Sequence, residues 1–178
     1  MPDSDAYVKA WEPDNTIPYP RAAWMGEYAA PAASYPAIDF LPIDMSVVFT
    51  AYLEDARFDL YSRIDLDMGR DGKLELAVIG AVPADKDDMV FCLDLGTGRV
   101  LLLGVGDGTL ELVNSTFKAL TEFLYHFALF IDADTGGAGR ALRAKDLRAK
   151  LKRIDPEALA DPESWWSVAL IQLEGTKG

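Results

Sequence analysis

Apolar and polar residues alternate in short runs between residues 73 and 113. Each run has the length and the alternation that a β-strand requires. The runs are KLELAVIGAV (73–82), MVFCLDL (89–95), RVLLLGV (99–105) and TLELV (109–113). Turn segments at 84–88, 96–98 and 106–108 separate them, and parallel strands cannot be joined by connections this short. The pattern therefore predicts an antiparallel meander.

The residues between 40 and 70 give weaker signals. SVVFTAYL (46–53) is predicted to be a strand. RFDLYSRIDLD (57–67) stays ambiguous, because Phe58 and Leu60 alternate with polar residues whereas Ile64 continues a helical spacing. A sheet is therefore expected to begin near residue 44, with one segment whose type the pattern leaves open.

Residues 1–37 are rich in proline, alanine and aromatic residues. Proline fixes φ and removes a hydrogen-bond donor, so no long helix or central strand is expected there. We predict an arm over residues 1–37 that packs on a single domain formed by residues 38–178. Its rings favour burial over a flexible linker, and they are Trp11, Tyr19, Trp24, Tyr28 and Tyr35. An arm that binds a partner is the alternative.

The period changes after Val113, where apolar residues begin to recur every three or four positions, as in a helix. Asn114, Ser115 and Thr116 stand at this change, and all three residue types favour helix caps. The sequence predicts a helix that begins between Asn114 and Phe117, with one of the three side chains bonded to a first-turn amide. Such a cap is worth about 1 kcal/mol.

Two further helices are predicted towards the C-terminus. The last one is expected to begin with Asp161 as its N-cap. It carries Trp165 and Trp166, whose side chains point about 100° apart, so at least one is expected to be buried. The helix before it spans residues 139–154, and the leucines expected to point inward are Leu142, Leu147 and Leu151. Strands followed by helices predict an α+β fold with a central, mainly antiparallel sheet and flanking helices.

Composition limits the possible functions. The chain has 178 residues, enough for one domain with a core, and 29 acidic against 17 basic residues give a net charge of −12. This charge disfavours nucleic acid and suits a basic partner. Cys92 is the only cysteine, the acidic N-terminus does not resemble a signal peptide, and no apolar run reaches the roughly 20 residues of a membrane span. These features predict a cytoplasmic protein that binds neither nucleic acid nor membrane.

Positive charge is concentrated in one segment. Residues 139–153 hold seven Lys or Arg residues against Asp146 alone, a net charge of +6. Such a run is typical of a solvated helix face. With no aromatic residues among the basic ones, it does not predict nucleic-acid binding.

No residue pattern indicates catalysis. His126 is the only histidine and lies on an apolar helix, where it fits a core or boundary position. Without a second His or Cys at metal-ligand spacing, no metal and no cofactor are predicted. Cys92 alternates with Phe91 and Leu93 in a strand and is expected to pack rather than to react.

Three weaker motifs have structural explanations. GVGDG (104–108) precedes another β pattern, which predicts a hairpin turn rather than a phosphate loop. DADTG (132–136) begins like a calcium loop, but Arg143 occupies the position that requires a Glu ligand. The carboxylate pairs Asp65 with Asp67 and Asp87 with Asp88 lie in polar surroundings, whereas acid–base catalysis needs an apolar cleft. We predict a protein that is not an enzyme; two carboxylates paired in a buried pocket would favour the opposite.

Four motifs, in order and spacing, resemble the SUKH superfamily of bacterial immunity proteins, specifically its fourth subgroup. They are FLPIDMSVVFT (40–50), DLGTGRV (94–100), LVNSTFKALTEFL (112–124) and IDPEALADPESWW (154–166). Thr116 stands where that subgroup commonly has a second serine, which is a mild change because both residues cap helices. The resemblance covers roughly residues 38–174, and the first 36 residues match no part of the pattern.

The resemblance implies an α+β fold and a non-enzymatic function: binding and neutralising the toxin domain of a polymorphic toxin system, often a nuclease or a nucleic-acid deaminase. An intracellular scaffold or regulatory module of the same fold is the alternative. Because toxins that cleave nucleic acid tend to be basic, acidic side chains are the expected contacts. The candidates for binding the partner are Glu54, Asp55, Asp59, Asp85, Asp87 and Asp88.

Overall fold

Short elements make up the segment before the main sheet. In the computed structural model, which describes residues 2–175, they are helix α1 (Ser4–Trp11), strand β1 (Thr16–Pro18), helix α2 (Arg21–Glu27) and strand β2 (Phe40–Pro42). Strands β1 and β2 pair with each other in a small antiparallel sheet. Helix α1 ends at Trp11, just before Pro13, whose ring cannot continue a helix.

The main sheet contains seven strands of the described chain. They are β3 (Asp44–Met45), β4 (Phe49–Thr50), β5 (Arg63–Asp67), β6 (Lys73–Ala81), β7 (Met89–Asp94), β8 (Val100–Gly104) and β9 (Thr109–Asn114). The order across the sheet is β3-β4-β6-β7-β8-β9, and β5 pairs with β6 off this path. Every pairing is antiparallel. The predicted meander is therefore confirmed.

Three helices follow the sheet: α3 (Phe117–Ala133), α4 (Arg140–Ile154) and α5 (Trp165–Glu174). With the strands before them, they confirm the α+β prediction. The larger hydrophobic cluster contains residues from the sheet, from all three helices and from the N-terminal segment. Burial of one large apolar side chain contributes on the order of 3 kcal/mol. The buried N-terminal rings are Tyr7, Trp11, Tyr19, Trp24 and Tyr35, whereas Tyr28 is only half-buried.

A smaller cluster covers the other face of the sheet. It contains Leu76, Val90 and Cys92, and the loop after β4 covers it through Leu53 and Phe58. No helix belongs to this cluster among the residues described. The ambiguous segment 57–67 divides between this loop and strand β5.

Two sequence-based predictions about local structure are wrong. Only Phe49 and Thr50 of the predicted strand 46–53 lie in a strand: residues 46–48 form a tight turn, and residues 51–53 belong to no strand. Leu142 is 65% exposed rather than inward. At about 100° per residue, Leu142 lies 180° around helix α4 from Leu151, whereas the buried Leu147 lies only 40° from it.

The main sheet has two ends with different character. Because Thr50 pairs with Ala81 and Met89 pairs with Gly104, the turns at 46–48, 84–88 and 105–108 all project from one end, which we call the acidic end. At the opposite end, which we call the hinge end, lie the turn at 95–99 and the end of β9 at Asn114.

Candidate functional site

A buried hydrogen-bond network at the hinge end joins two of the sequence motifs, LVNSTFKALTEFL (112–124) and IDPEALADPESWW (154–166). The Nδ2 of Asn114 donates to Oδ2 of Asp155 over 3.1 Å, and its Oδ1 accepts from Nε1 of Trp166 over 3.0 Å. The backbone N–H of Ser115 donates to the same Asp155 oxygen over 2.8 Å. Asn114, Asp155 and Trp166 are all at most 2% exposed. The network therefore has a structural role: it fixes the exit from the sheet against the C-terminal segment.

Side-chain caps define where helices α3 and α5 begin. The Thr116 Oγ1 accepts from Ala119 N over 3.0 Å, at the start of α3. Helix α5 does not have Asp161 as its N-cap, so that prediction is wrong. Ser164 is the N-cap, and Oε1 of Glu111 on β9 accepts from Trp165 N over 2.6 Å. Asp161 instead accepts from Glu163 N over 2.8 Å, which closes a turn before the helix.

The two tryptophans of α5 differ in burial. Trp166 is 1% exposed and packs against Phe123 and Phe127 of α3, while Trp165 is half-buried with its ring 5.7 Å from that of Phe91. The helix is therefore anchored to the rest of the protein by its first residues.

The histidine, the cysteine and the turn carboxylate Asp94 occupy structural positions. His126 is half-buried on α3, and burial lowers its pKa to about 4, so its imidazole is neutral at pH 7. Burial raises the pKa of the fully covered Cys92 thiol to about 12. Asp94 accepts hydrogen bonds from Gly96 N and Thr97 Oγ1 in its own turn. Within residues 2–175, no group of His, Cys, Asp or Glu is placed to hold a metal ion.

The structure joins the two segments that supply the candidate partner-binding residues. In the loop after β4, the Arg57 N–H donates to Oδ1 of Asp87 over 2.8 Å. The ammonium group of Lys86 lies 5.0 Å from the centre of the Tyr52 ring, and the Tyr52 hydroxyl donates to Glu54. The remaining candidates, also exposed, are Asp55, Asp59, Asp85 and Asp88.

This group of residues, 54–59 together with 85–88, forms what we call the acidic surface. It contains six carboxylates against Arg57 and Lys86, a net charge of −4. The turn at 105–108 lies next to this surface, because the Asp88 carbonyl accepts from Val105 N over 2.8 Å. This turn adds a further carboxylate, that of Asp107. Hydrogen bonds from Thr109 lower the pKa of Asp107. Asp107 was not among the residues predicted to bind the partner, although the GVGDG turn that contains it is visible in the sequence.

The basic helix α4 is partly neutralised by its neighbours. Arg140 and Arg143 both form ion pairs with Asp134, and Arg148 pairs with Glu174 over 2.7 Å. The DADTG segment, which contains Asp134, is thus bonded to arginines. These contacts connect α4 to the end of α3 and to α5, which gives these three arginines a structural role.

Comparison with known protein families gives a match over most of the chain. The model of the family described as SUKH-4 immunity protein matches residues 16–172. The match begins inside the N-terminal segment, so it extends further than the motifs found in the sequence. No curated protein and no solved structure matches the chain. Among the helices of residues 2–175, none combines the length and the apolar character needed to cross a membrane.

Proposed function

Because the chain belongs to the SUKH-4 immunity protein family, we propose that it binds the toxin domain of a polymorphic toxin system in the cytoplasm and neutralises it without turning over any substrate. The match over residues 16–172 is the observation that carries this proposal, since it supports an immunity role. We further propose that the toxin acts on nucleic acid, as a nuclease or a deaminase. Such a toxin carries a basic groove for the phosphate backbone.

The acidic surface is the proposed site of contact. Its carboxylates lie on two segments that hydrogen-bond to each other, so they present negative charge as one unit. All six acidic residues are exposed; Glu54 accepts from the Tyr52 hydroxyl and Asp87 from Arg57 N, and each keeps carboxylate lone pairs for a basic partner. Arrangement of opposite charges across an interface accelerates the encounter and disfavours the wrong partners. The acidic surface therefore supports binding to a basic toxin.

The proposal is tested by expressing the toxin domain encoded beside this gene, with and without the protein. Growth should stop with the toxin domain alone and recover when both are present. In vitro, inhibition of the toxin's activity should be complete at one equivalent of the protein and should reverse when the complex dissociates. A stoichiometric titration of this kind separates binding from enzymatic inactivation.

Two outcomes would contradict the proposal. Complete inactivation of the toxin at far less than one equivalent would show turnover and so an enzyme. Failure to rescue growth, with no complex on size-exclusion chromatography, would remove the immunity function and favour a scaffold or regulatory module.

A further inference from the structure

Two grooves lie on either side of the β3–β4 hairpin, at the acidic end of the sheet. The first has a volume of about 720 Å³ and lies between helix α1, the hairpin residues 44–46 and the last part of α3. The second, of about 250 Å³, lies between residues 47–48 of the same hairpin, α5 and Arg140. The hairpin is thus the wall between the two grooves, and we call the whole region the hairpin surface.

Exposed aliphatic side chains are concentrated on this hairpin surface. Leu129 and Ile131 line the first groove and are 40% and 41% exposed. Val47 and Val168 line the second groove and are 70% and 42% exposed. Half of the eight large hydrophobic residues that are exposed in residues 2–175 therefore line these two grooves. Apolar side chains grouped in this way mark an interaction surface, whereas single ones do not.

Each groove is also lined by a tryptophan whose indole N–H is buried without an acceptor in the described chain. These are Trp11 in the first groove and Trp165 in the second. Trp166, by contrast, donates to Asn114. A buried donor without a partner costs free energy, and such groups in a native structure call for an explanation.

Two residues that line the first groove have strained backbone conformations. Glu12 and Ser46 both line it with φ values of 67° and 50°, which are unfavourable for residues other than glycine. The hairpin is nevertheless held in place, because the Asn15 side chain donates to the Asp44 carbonyl and accepts from its N–H. Strained residues fixed by their surroundings are concentrated at binding sites.

The charges around the first groove indicate what it binds. Glu12, Asp44 and Asp132 line it against a single cation, Lys9. The acidic surface projects from the same end of the sheet and extends this negative field. We propose that the hairpin surface receives a segment of the toxin in which an aliphatic or aromatic side chain lies next to Lys or Arg.

This inference rests on the proposed function for the identity of the partner, and it assigns separate roles to two neighbouring surfaces. Charge at long range determines the association rate, whereas close apolar contacts determine mainly the dissociation rate. The acidic surface steers the toxin towards the acidic end, and the hairpin surface holds it there.

The test compares Val47→Asp with Leu142→Asp in binding kinetics against the toxin domain encoded beside this gene. The two residues are 70% and 65% exposed, and both changes replace an aliphatic side chain by a carboxylate, so fold and net charge are matched. We expect Val47→Asp to raise the dissociation rate about tenfold, the effect of losing one buried aliphatic side chain. Leu142→Asp on α4 should leave it unchanged.

A second measurement locates the contact without any substitution. With 5-fluorotryptophan incorporated, the four tryptophans give separate ¹⁹F NMR signals. Addition of the toxin domain should shift the signals of Trp11 and Trp165, which line the grooves, and leave that of Trp24 in place.

Three results would overturn the inference, and they differ in whether the proposed immunity function survives. Tight binding with equal dissociation rates for the two variants and no shift of Trp11 or Trp165 would leave the immunity function intact but exclude the hairpin surface. Self-association of the wild type that is lost in Val47→Asp would show that a second copy covers the surface. Absence of any binding by the wild type would remove the proposed function together with the inference.

Discussion

Replacement of Asn114 by Ala should destabilise the protein far more than replacement of its neighbour Ser115. Asn114 is 0% exposed and makes two side-chain hydrogen bonds, one to the Asp155 carboxylate and one from the Trp166 indole. The Ser115 side chain makes no hydrogen bond among the described residues, since its contact with Asp155 uses the backbone. The two substitutions therefore compare a network residue with an adjacent residue outside the network.

The expected magnitude follows from the groups left behind. Without Asn114, the buried indole N–H of Trp166 has no acceptor, which costs about 1–3 kcal/mol. Loss of the bond to the charged Asp155 costs about another 1.5–3 kcal/mol, although Ser115 N still donates to that carboxylate. We therefore expect a loss of roughly 3–5 kcal/mol for Asn114→Ala and less than about 0.5 kcal/mol for Ser115→Ala. Thr116→Ala, which removes the N-cap of α3, should cost about 1 kcal/mol.

Urea unfolding monitored by tryptophan fluorescence and by circular dichroism measures these free energies directly. The dependence on urea concentration should be the same for all variants, so that midpoint shifts report stability alone. Combining Asn114→Ala with Trp166→Phe should cost less than the sum of the single changes, because each removes the same hydrogen bond. Equal losses for Asn114→Ala and Ser115→Ala, or full additivity with Trp166→Phe, would refute the network.

Three further predictions concern single residues. Because burial raises the pKa of Cys92 to about 12, a thiol reagent at pH 8 should react with it only after unfolding; complete labelling of the folded protein within minutes would contradict this. Burial lowers the pKa of His126 from 6.5 to about 4, so between these pH values the unfolded chain binds more protons than the folded protein, and the free energy of unfolding should fall as the pH drops. Urea denaturation at pH 7 and at pH 5 should show a smaller loss of stability for His126→Gln than for the wild type. Gly98→Ala should destabilise the protein more than Gly108→Ala. Both glycines have positive φ, 79° and 70°, but a Cβ at Gly98 would overlap the Ser34 side chain, whereas the space at Gly108 is open. Equal melting temperatures of the two variants would refute the overlap.

The meander was predictable because its signals are local. Each strand shows its own alternation, and each turn shows its own Gly and Asp residues. The β3–β4 hairpin was not predictable, because two-residue strands have no period of their own. They depend on distant partners: Thr50 pairs with Ala81, and Asn15 bonds to Asp44 from the N-terminal segment.

The start of α5 shows a similar limit. Asp161 and Ser164 are both good N-cap residues, so the sequence offered two starting points. Glu111 decides between them, because its carboxylate lies on β9 and accepts from the backbone N–H of Trp165. A choice made by a residue more than fifty positions away leaves no local signal.

The sequence identified the acidic residues that could contact a partner, but it did not show that they form one surface. Acidic composition singled out residues 54–59 and 85–88, but the hydrogen bond that joins these segments links residues 30 positions apart. The grooves beside the hairpin were not foreseen at all, since their walls come from α1, α3, α5 and the hairpin together.

The association rate at several salt concentrations tests most directly whether this protein captures a basic toxin through its acidic surface. The informative variant is Asp85→Lys with Asp88→Lys, which spares Asp87 because that side chain bonds to Arg57. Its control is Glu27→Lys with Asp71→Lys, which are also exposed and give the same net charge. Both lie towards the hinge end: Asp71 is in the turn between β5 and β6, and Glu27 is three residues before Ala30, whose N–H donates to the Leu95 carbonyl. We predict that the wild-type association rate with the adjacent toxin domain falls steeply with salt, and that at low salt the Asp85/Asp88 variant associates about tenfold more slowly than the control. Equal rates for the two variants, or a wild-type rate indifferent to salt, would contradict the account.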